Sequence, residues 1–167
     1  MTSPPLNQWT SASHALDYLA RADAIPHRTE GEAVLLSCVP LTTRRILDLG
    51  TGDGRLLGLL KLDRPSVAAV ALDFSPTMLA AVSDRFDQDP SVAIVSHDLA
   101  EPLPDLGRFD AVVSSFAIHH LDHPRKEALY QEIFEILEPG GCFCNLEHVA
   151  SPSERLHHQF LAAIGYT

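Results

Sequence analysis

The stretch Arg45-Ile46-Leu47-Asp48-Leu49-Gly50-Thr51-Gly52-Asp53-Gly54 decides the fold. Its first half is a short, mostly apolar run ending in glycines, which reads as a buried strand. The glycines that follow let the backbone turn sharply and come close to a ligand. Outward from this stretch, Val67–Leu72, Val92–Val95, Phe109–Val113 and Cys142–Leu146 are further apolar runs, each bounded by Gly, Pro, Asp or Ser. The segments between them are helix-compatible. Leu56–Lys61 is predicted helical, as is Pro76–Phe86, with Ser75 as its N-cap and Pro76 in the first turn. Pro124–Leu137 places Ala128, Leu129, Ile133 and Ile136 on one stripe. Strands alternating with helices imply an α/β fold, a mainly parallel sheet of five strands covered on both faces, with no internal repeat. Upstream, Thr10–Ala22 and Arg28–Val39 read as two helices, the second stopped at Pro40; downstream, Pro152–Ile164 reads as one more. The expected organisation is a single domain over 1–167: a helical cap over 1–40, an α/β core over 45–149 and a C-terminal helix over 150–167.

Composition narrows the function. The 167 residues are 46% hydrophobic and 20% charged, enough for one core. The longest strongly apolar run, Val67–Leu72, is too short to span a bilayer. The start, Met1-Thr2-Ser3-Pro4-Pro5-Leu6, lacks the basic and apolar regions of a secretory signal, so a cytoplasmic location is expected. Three cysteines without a Cys-x-x-Cys pair give neither a disulfide framework nor a zinc pattern. A net charge of −10 with no basic cluster argues against nucleic acid as a partner.

In such a sheet ligands bind at the carboxyl ends of the strands, near the point where strand order reverses. The glycine loop stands there, but it departs from the dinucleotide fingerprint: Gly54 comes one position early and Arg55 holds the fingerprint's third glycine position. Charge is more telling. Asp48 ends the strand and Asp53 lies inside the loop. A pyrophosphate docked there would face two carboxylates, which is costly in a low-dielectric cleft. S-adenosylmethionine, with its sulfonium and ammonium, suits the loop better than a nicotinamide dinucleotide. Asp73 stands roughly 20 residues beyond the loop, where a carboxylate accepts hydrogen bonds from ribose hydroxyls. Phe74 offers an apolar wall, Asp98 an acceptor for the adenine amine, and Leu99 a surface for the ring.

Together, Asp48-x-Gly50-x-Gly52-x-Gly54, Asp73, His97-Asp98, Phe109–Leu121 and the turn Leu137-Glu138-Pro139-Gly140-Gly141 resemble the class I S-adenosylmethionine-dependent methyltransferases. The resemblance runs from about Arg45 to Val149. It implies a Rossmann-like doubly wound sheet of order 3-2-1-4-5 and methyl transfer to an unidentified, small-molecule acceptor. It places Gly50, Gly52 and Gly54 near the methionine part of the cofactor, and Asp48 facing the ammonium. Asp73 falls at the ribose, Phe74 beside the adenine, Asp98 and Leu99 at the adenine, and Ser114 and Ser115 under the sulfonium, with Thr51 and Met78 also expected to bind the cofactor. Arg28 is the candidate for the cofactor carboxylate. The family sheet normally continues with two more strands, which nothing after Tyr166 supplies. The fifth strand is therefore expected to be an exposed edge, covered by the C-terminal helix or by a partner chain, so a homo-oligomer is a candidate.

His119 and His120, just after the fourth strand, are the candidate catalytic residues, since histidine serves as a base near neutral pH; His148 beside Glu147 is a lesser one. His119 and His123 have metal-site spacing. However, a residue before proline avoids the helical region, so Pro124 argues against a shared helical face and no metal is expected. Cys142 and Cys144 read as core residues. Two other functions stand beside methyl transfer: a non-catalytic cofactor-binding module or regulatory subunit, and a nicotinamide-dependent oxidoreductase, which the acidic loop disfavours.

Overall fold

The computed structural model describes residues 11–21, 25, 27–149 and 151–163. In chain order these form α1 (Ala12–Arg21), α2 (Arg28–Cys38), β1 (Arg45–Leu49), α3 (Arg55–Asp63), β2 (Ala68–Asp73), α4 (Pro76–Arg85), β3 (Val92–Ser96), β4 (Phe109–Ser115), a 3-10 turn (Ile118–His120), α5 (His123–Ile136), β5 (Leu137–Leu146) and α6 (Glu154–Ala163). The five strands make one sheet of order β3-β2-β1-β4-β5, and every pairing is parallel. The order reverses at β1, which pairs with β2 on one side and β4 on the other, so the crevice beyond its carboxyl end is the topological switch point.

Side-chain alternation along β1 divides the core in two. Leu47 and Leu49 face Val112, Leu129 and Ile133, under α5. Ile46 faces Leu35, Leu56 and Leu60, under α2 and α3. Asp48 shares the face of Ile46, so its carboxylate is carried into the interior.

The structure corrects four local expectations. No helix joins β3 to β4; Pro102 and Pro104 fall in that connection, and each lacks an N–H and disfavours a helical residue before it. Leu137–Gly141 is not a turn ahead of β5. Leu137 already pairs with Phe109 and Cys142 with Ala111, so Glu138–Gly141 is an irregularity within the strand. Helix α5 begins at His123, ahead of Pro124, because Asp122 caps it, accepting the Arg125 N–H at 2.8 Å. Ser75 does occupy the N-cap of α4 but makes no side-chain cap; its backbone N–H donates to Asp73 Oδ1 at 2.9 Å. Thr10, Ala22 and Ile164, at the ends of two predicted helices, lie outside the described residues.

None of the described residues of α6 is buried, and Cys142–Leu146 stay half-buried. Cys142 and Cys144 pack against the Ile46 side of the core. Burial, together with neighbouring Cys142, pushes the Cys144 thiol up to about 12, so it stays a thiol. No described helix is long and apolar enough to cross a membrane.

Candidate active site

The loop after β1 is built by backbone hydrogen bonds and closed by a carboxylate. The N–H groups of Gly50 and Thr51 both donate to the Leu72 carbonyl, at 2.8 and 3.0 Å. Gly50, Gly52 and Gly54 take φ of 66°, 58° and 76°, the left-handed region open to glycine. Asp73, at the end of β2, then ties two loops together: Oδ2 accepts the Gly52 N–H at 3.0 Å and Oδ1 the Ser75 N–H at 2.9 Å. Asp48 is 1% exposed and accepts the Thr51 hydroxyl at 2.7 Å. Burial raises its pKa to about 7, helped by the nearby Asp73 and Asp53 charges and opposed by the Thr51 hydrogen bond. Burial also raises Asp73, against the hydrogen bonds it accepts.

Asp48, Gly50, Thr51, Gly52, Asp53 and Asp73 line one cavity over the switch point, together with Phe74, Asp98 and Leu99 beyond the β2 and β3 ends and Met78 of α4. Asp98 turns its own loop by accepting the Ala100 N–H at 2.9 Å. From the end of β4 and the turn after it the cavity receives Ser115, Phe116, Ala117 and His120. The Ser115 hydroxyl is buried with no hydrogen-bond partner among the described residues. Phe116 holds φ at 55°, costly for a bulky residue, with its N–H on the Leu146 carbonyl at 2.8 Å. Its ring lies 4.8 Å from that of His148 and 5.8 Å from the Arg28 guanidinium. Arg28 lines the same cavity.

Three sequence candidates stand elsewhere. Gly54 faces α4, where an added Cβ would lie 2.8 Å from Phe86, and does not line the cavity. Ser114 is fully buried and donates to the Leu49 carbonyl at 2.8 Å, joining β4 to β1. His119 is turned to Glu147: its Nδ1 lies 2.6 Å from Oε2, and its backbone N–H donates to Oε1 at 3.1 Å. Burial raises the Glu147 carboxyl, but the hydrogen bonds and charge of His119 outweigh it and hold the group below the usual range. Glu147 is thus an acceptor and His119 Nδ1 carries the hydrogen. The His119 ring packs 4.0 Å from that of His120, which reaches the cavity. Burial first, then the His119 charge, lowers His120 below the ordinary histidine value.

Sequence reasoning missed Tyr18 and Arg55, which also line the cavity, and Glu32, which binds Arg28 and Arg55. The four-residue spacing of Arg28 and Glu32 on a helix was the available signal. No metal-binding group of three or more ligands occurs among the described residues.

The sheet order, the glycine loop at the switch point and the acidic strand ends define a class I methyltransferase domain. Residues 46–141 match the family model described as a methyltransferase domain, and the chain belongs to that family, whose cofactor is S-adenosylmethionine. It is 38% identical over 152 residues to the trans-aconitate 2-methyltransferase of Methylobacterium nodulans, covering 85% of this chain and 53% of that protein. It is 35% identical over 124 residues to an uncharacterized methyltransferase of Mycobacterium tuberculosis, covering 74% of this chain and 60% of that one. The chain thus spans little more than half the length of these relatives. An O-methyltransferase family protein from Burkholderia thailandensis shares the fold with a TM-score of 0.72 at 19% identity, over 93% of this chain and 49% of that one.

Proposed function

We propose that this chain binds S-adenosylmethionine at the β1–β2–β4 crevice and directs its methyl group to a small-molecule acceptor. The observation that carries the reading is the buried Asp48–Asp73 pair under an open glycine loop. An added Cβ at Gly52 meets nothing within 4 Å, so the loop leaves room for a close ligand, and the carboxylates beside it favour a cation. Asp73 and Asp98 suit the nucleoside, Phe74, Met78 and Leu99 its apolar surroundings, and the unpartnered Ser115 hydroxyl the reacting end. Arg28 suits the carboxylate. Gly54 and Ser114 act indirectly, through the packing they support. The cofactor supplies an electrophilic methyl group on a sulfonium.

The protein's part is orientation and proton handling. His120 faces the cavity in a setting that favours its neutral form, and takes a proton from an acceptor hydroxyl or acid. His119, locked on Glu147, holds the ring of His120 in place. An acidic acceptor is the first to try, given the trans-aconitate relative. The reading also places the protein in the cytoplasm, consistent with three free cysteines, with neither nucleic acid nor membrane as partner, and lets β5 edges pair two copies.

Calorimetric titration with S-adenosylmethionine, S-adenosylhomocysteine and NAD tests the cofactor. Binding of the first two alone, weakened in Asp73→Asn, is expected; a folded chain that binds only NAD refutes it. Turnover with trans-aconitate separates an enzyme from a binding module. A concentration-independent monomer in light scattering removes the β5 pairing.

A further inference from the structure

The chain has three cysteines, and none of them lines the cavity. Cys38 is far in sequence from Cys142 and Cys144, yet the fold brings all three together where α2 packs on β5. Leu146, Cys144 and Cys142 alternate onto one face of β5. Gly31, Leu35 and Cys38 stand at i, i+4 and i+7 of α2, on one stripe of the helix. The two rows meet. An added Cβ at Gly31 would lie 2.7 Å from Leu146 Cδ1, so the missing side chain lets the α2 backbone lie close on the strand. Leu35 and Leu36 share one apolar cluster with Cys142, Cys144 and Leu146. The end of the helix is fixed as well: Arg64 donates to the carbonyls of Leu36 at 3.3 Å and Pro40 at 3.1 Å, on either side of Cys38 in the chain.

The Gly31–Leu146 contact sets the register of the two rows. From it, Leu35 lies about 6 Å and Cys38 about 10 Å along the helix, at about 1.5 Å per residue. Cys144 lies about 7 Å and Cys142 about 13 Å back along the strand, at about 3.3 Å per residue. Leu35 therefore comes level with Cys144, and Cys38 falls nearest Cys142. Cys144 is hydrogen-bonded to Cys142 and close enough to Cys38 for that thiol to act on it. Of the three, Cys38 is exposed, while Cys142 and Cys144 are half-buried. An oxidant from solvent thus meets Cys38 first, with Cys142 as the neighbour behind it.

We propose that Cys38 is a site of oxidation by hydroperoxides and that Cys142 resolves it, tying α2 to β5 through a reversible disulfide. The Cys38 thiolate attacks one oxygen of the hydroperoxide and the O–O bond breaks. The other oxygen leaves as water or alcohol after taking a proton, and Cys38 becomes a sulfenic acid. The Cys142 sulfur then attacks the Cys38 sulfur. The S–S bond forms, and the sulfenic oxygen departs with the Cys142 proton as water. Two thiols are oxidised to one disulfide while one hydroperoxide is reduced. A disulfide needs its Cα atoms within about 7 Å, and the close seat at Gly31 is what lets the helix approach the strand that far. The site stands whether or not the cavity takes S-adenosylmethionine. Its consequence reaches the cavity through α2, the helix that carries Arg28 into the lining.

The test treats the folded, reduced chain with hydrogen peroxide, blocks the remaining thiols and maps the peptides by mass spectrometry. A Cys38–Cys142 cross-link, lost on treatment with dithiothreitol, is expected in wild type and in Cys144→Ala. Cys142→Ala is expected to give no cross-link and instead a Cys38 sulfenic acid that dimedone captures. The bridged chain is expected to melt several degrees above the reduced one, because the bridge closes a loop of roughly 100 residues. Should either alanine variant fail to fold, the wild-type map alone decides the pairing. A Cys38–Cys144 link, a link found only between two chains, or a Cys38 that ends as a sulfonic acid with no cross-link overturns the proposal. So does a bridged chain that melts below the reduced one, since the two thiols would then have been forced together rather than held side by side by the fold.

Discussion

Carrying the Asp48 carboxyl under the glycine loop raises its pKa from an ordinary 3.8 to about 7, with burial as the main cause. Between those values the folded chain holds a proton that the unfolded chain has released. Stability therefore falls as pH rises through that window and is lowest above it. Asp48→Asn keeps an acceptor for the Thr51 hydroxyl and removes the buried charge. The variant is expected to melt higher than wild type at pH 8, with the gap closing towards pH 5, and to bind S-adenosylmethionine more weakly. Melting curves across that range check the first half and calorimetry the second; a gap that does not change with pH would show that Asp48 ionises normally. The glycines of the loop separate folding from binding in the same way. An added Cβ at Gly50 would lie 2.3 Å from the Ala117 Cβ, at a φ of 66°. Gly50→Ala is expected to cost about 2–4 kcal/mol from strain and overpacking. At Gly52 the same substitution meets open space and should cost only about 1 kcal/mol, for the left-handed backbone. Its methyl group would nonetheless enter the cavity, so Gly52→Ala should lose more binding than stability. Denaturant midpoints and titrations on the two variants check the contrast.

At the scale of elements, the β3–β4 connection lacks a helix and is held from outside. Arg125 of α5 donates to the Leu99 carbonyl at 2.7 Å and the Glu101 carbonyl at 2.8 Å, and pairs with Glu132 at 2.6 Å. Glu132 in turn accepts the Leu103 N–H at 3.0 Å. Arg125→Ala removes these bonds together and is expected to cost about 2–3 kcal/mol. It should also speed amide exchange over 98–103 and weaken nucleoside affinity, because Asp98 and Leu99 ride on this loop. Unchanged exchange there would mean that the prolines and the Glu132–Leu103 bond hold it without Arg125. The sequence made the strands legible, and with them Asp48, Asp73 and Asp98, because each of these lies at a strand end and inherits its place from the sheet. Apolar runs marked β1 to the residue. Other parts had no local signature. Arg55 and Glu32 meet across 23 residues, and His119 and Glu147 across 28, so only the assembled sheet shows them as pairs. Of the two catalytic candidates, His119 is turned to Glu147, while His120 lines the cavity.

Over the whole molecule, a net charge of −10 surrounds a cavity whose strand-end wall is itself acidic. S-adenosylmethionine carries one net positive charge, and S-adenosylhomocysteine, with a neutral sulfur and a balanced amino acid, carries none. The protein field therefore attracts the first and is nearly indifferent to the second, a difference that favours exchange of product for fresh cofactor. Ions screen such a field over about 10 Å at 0.1 M and about 3 Å at 1 M. Contacts made inside the cavity are screened far less, because few ions enter it. Raising salt from about 0.05 M to about 0.5 M should therefore weaken S-adenosylmethionine severalfold and leave S-adenosylhomocysteine almost unchanged. Titration of both ligands at three salt concentrations measures this directly. Parallel salt dependence for the two would locate their discrimination in short-range contacts at Ser115 and Asp48 rather than in the field of the molecule.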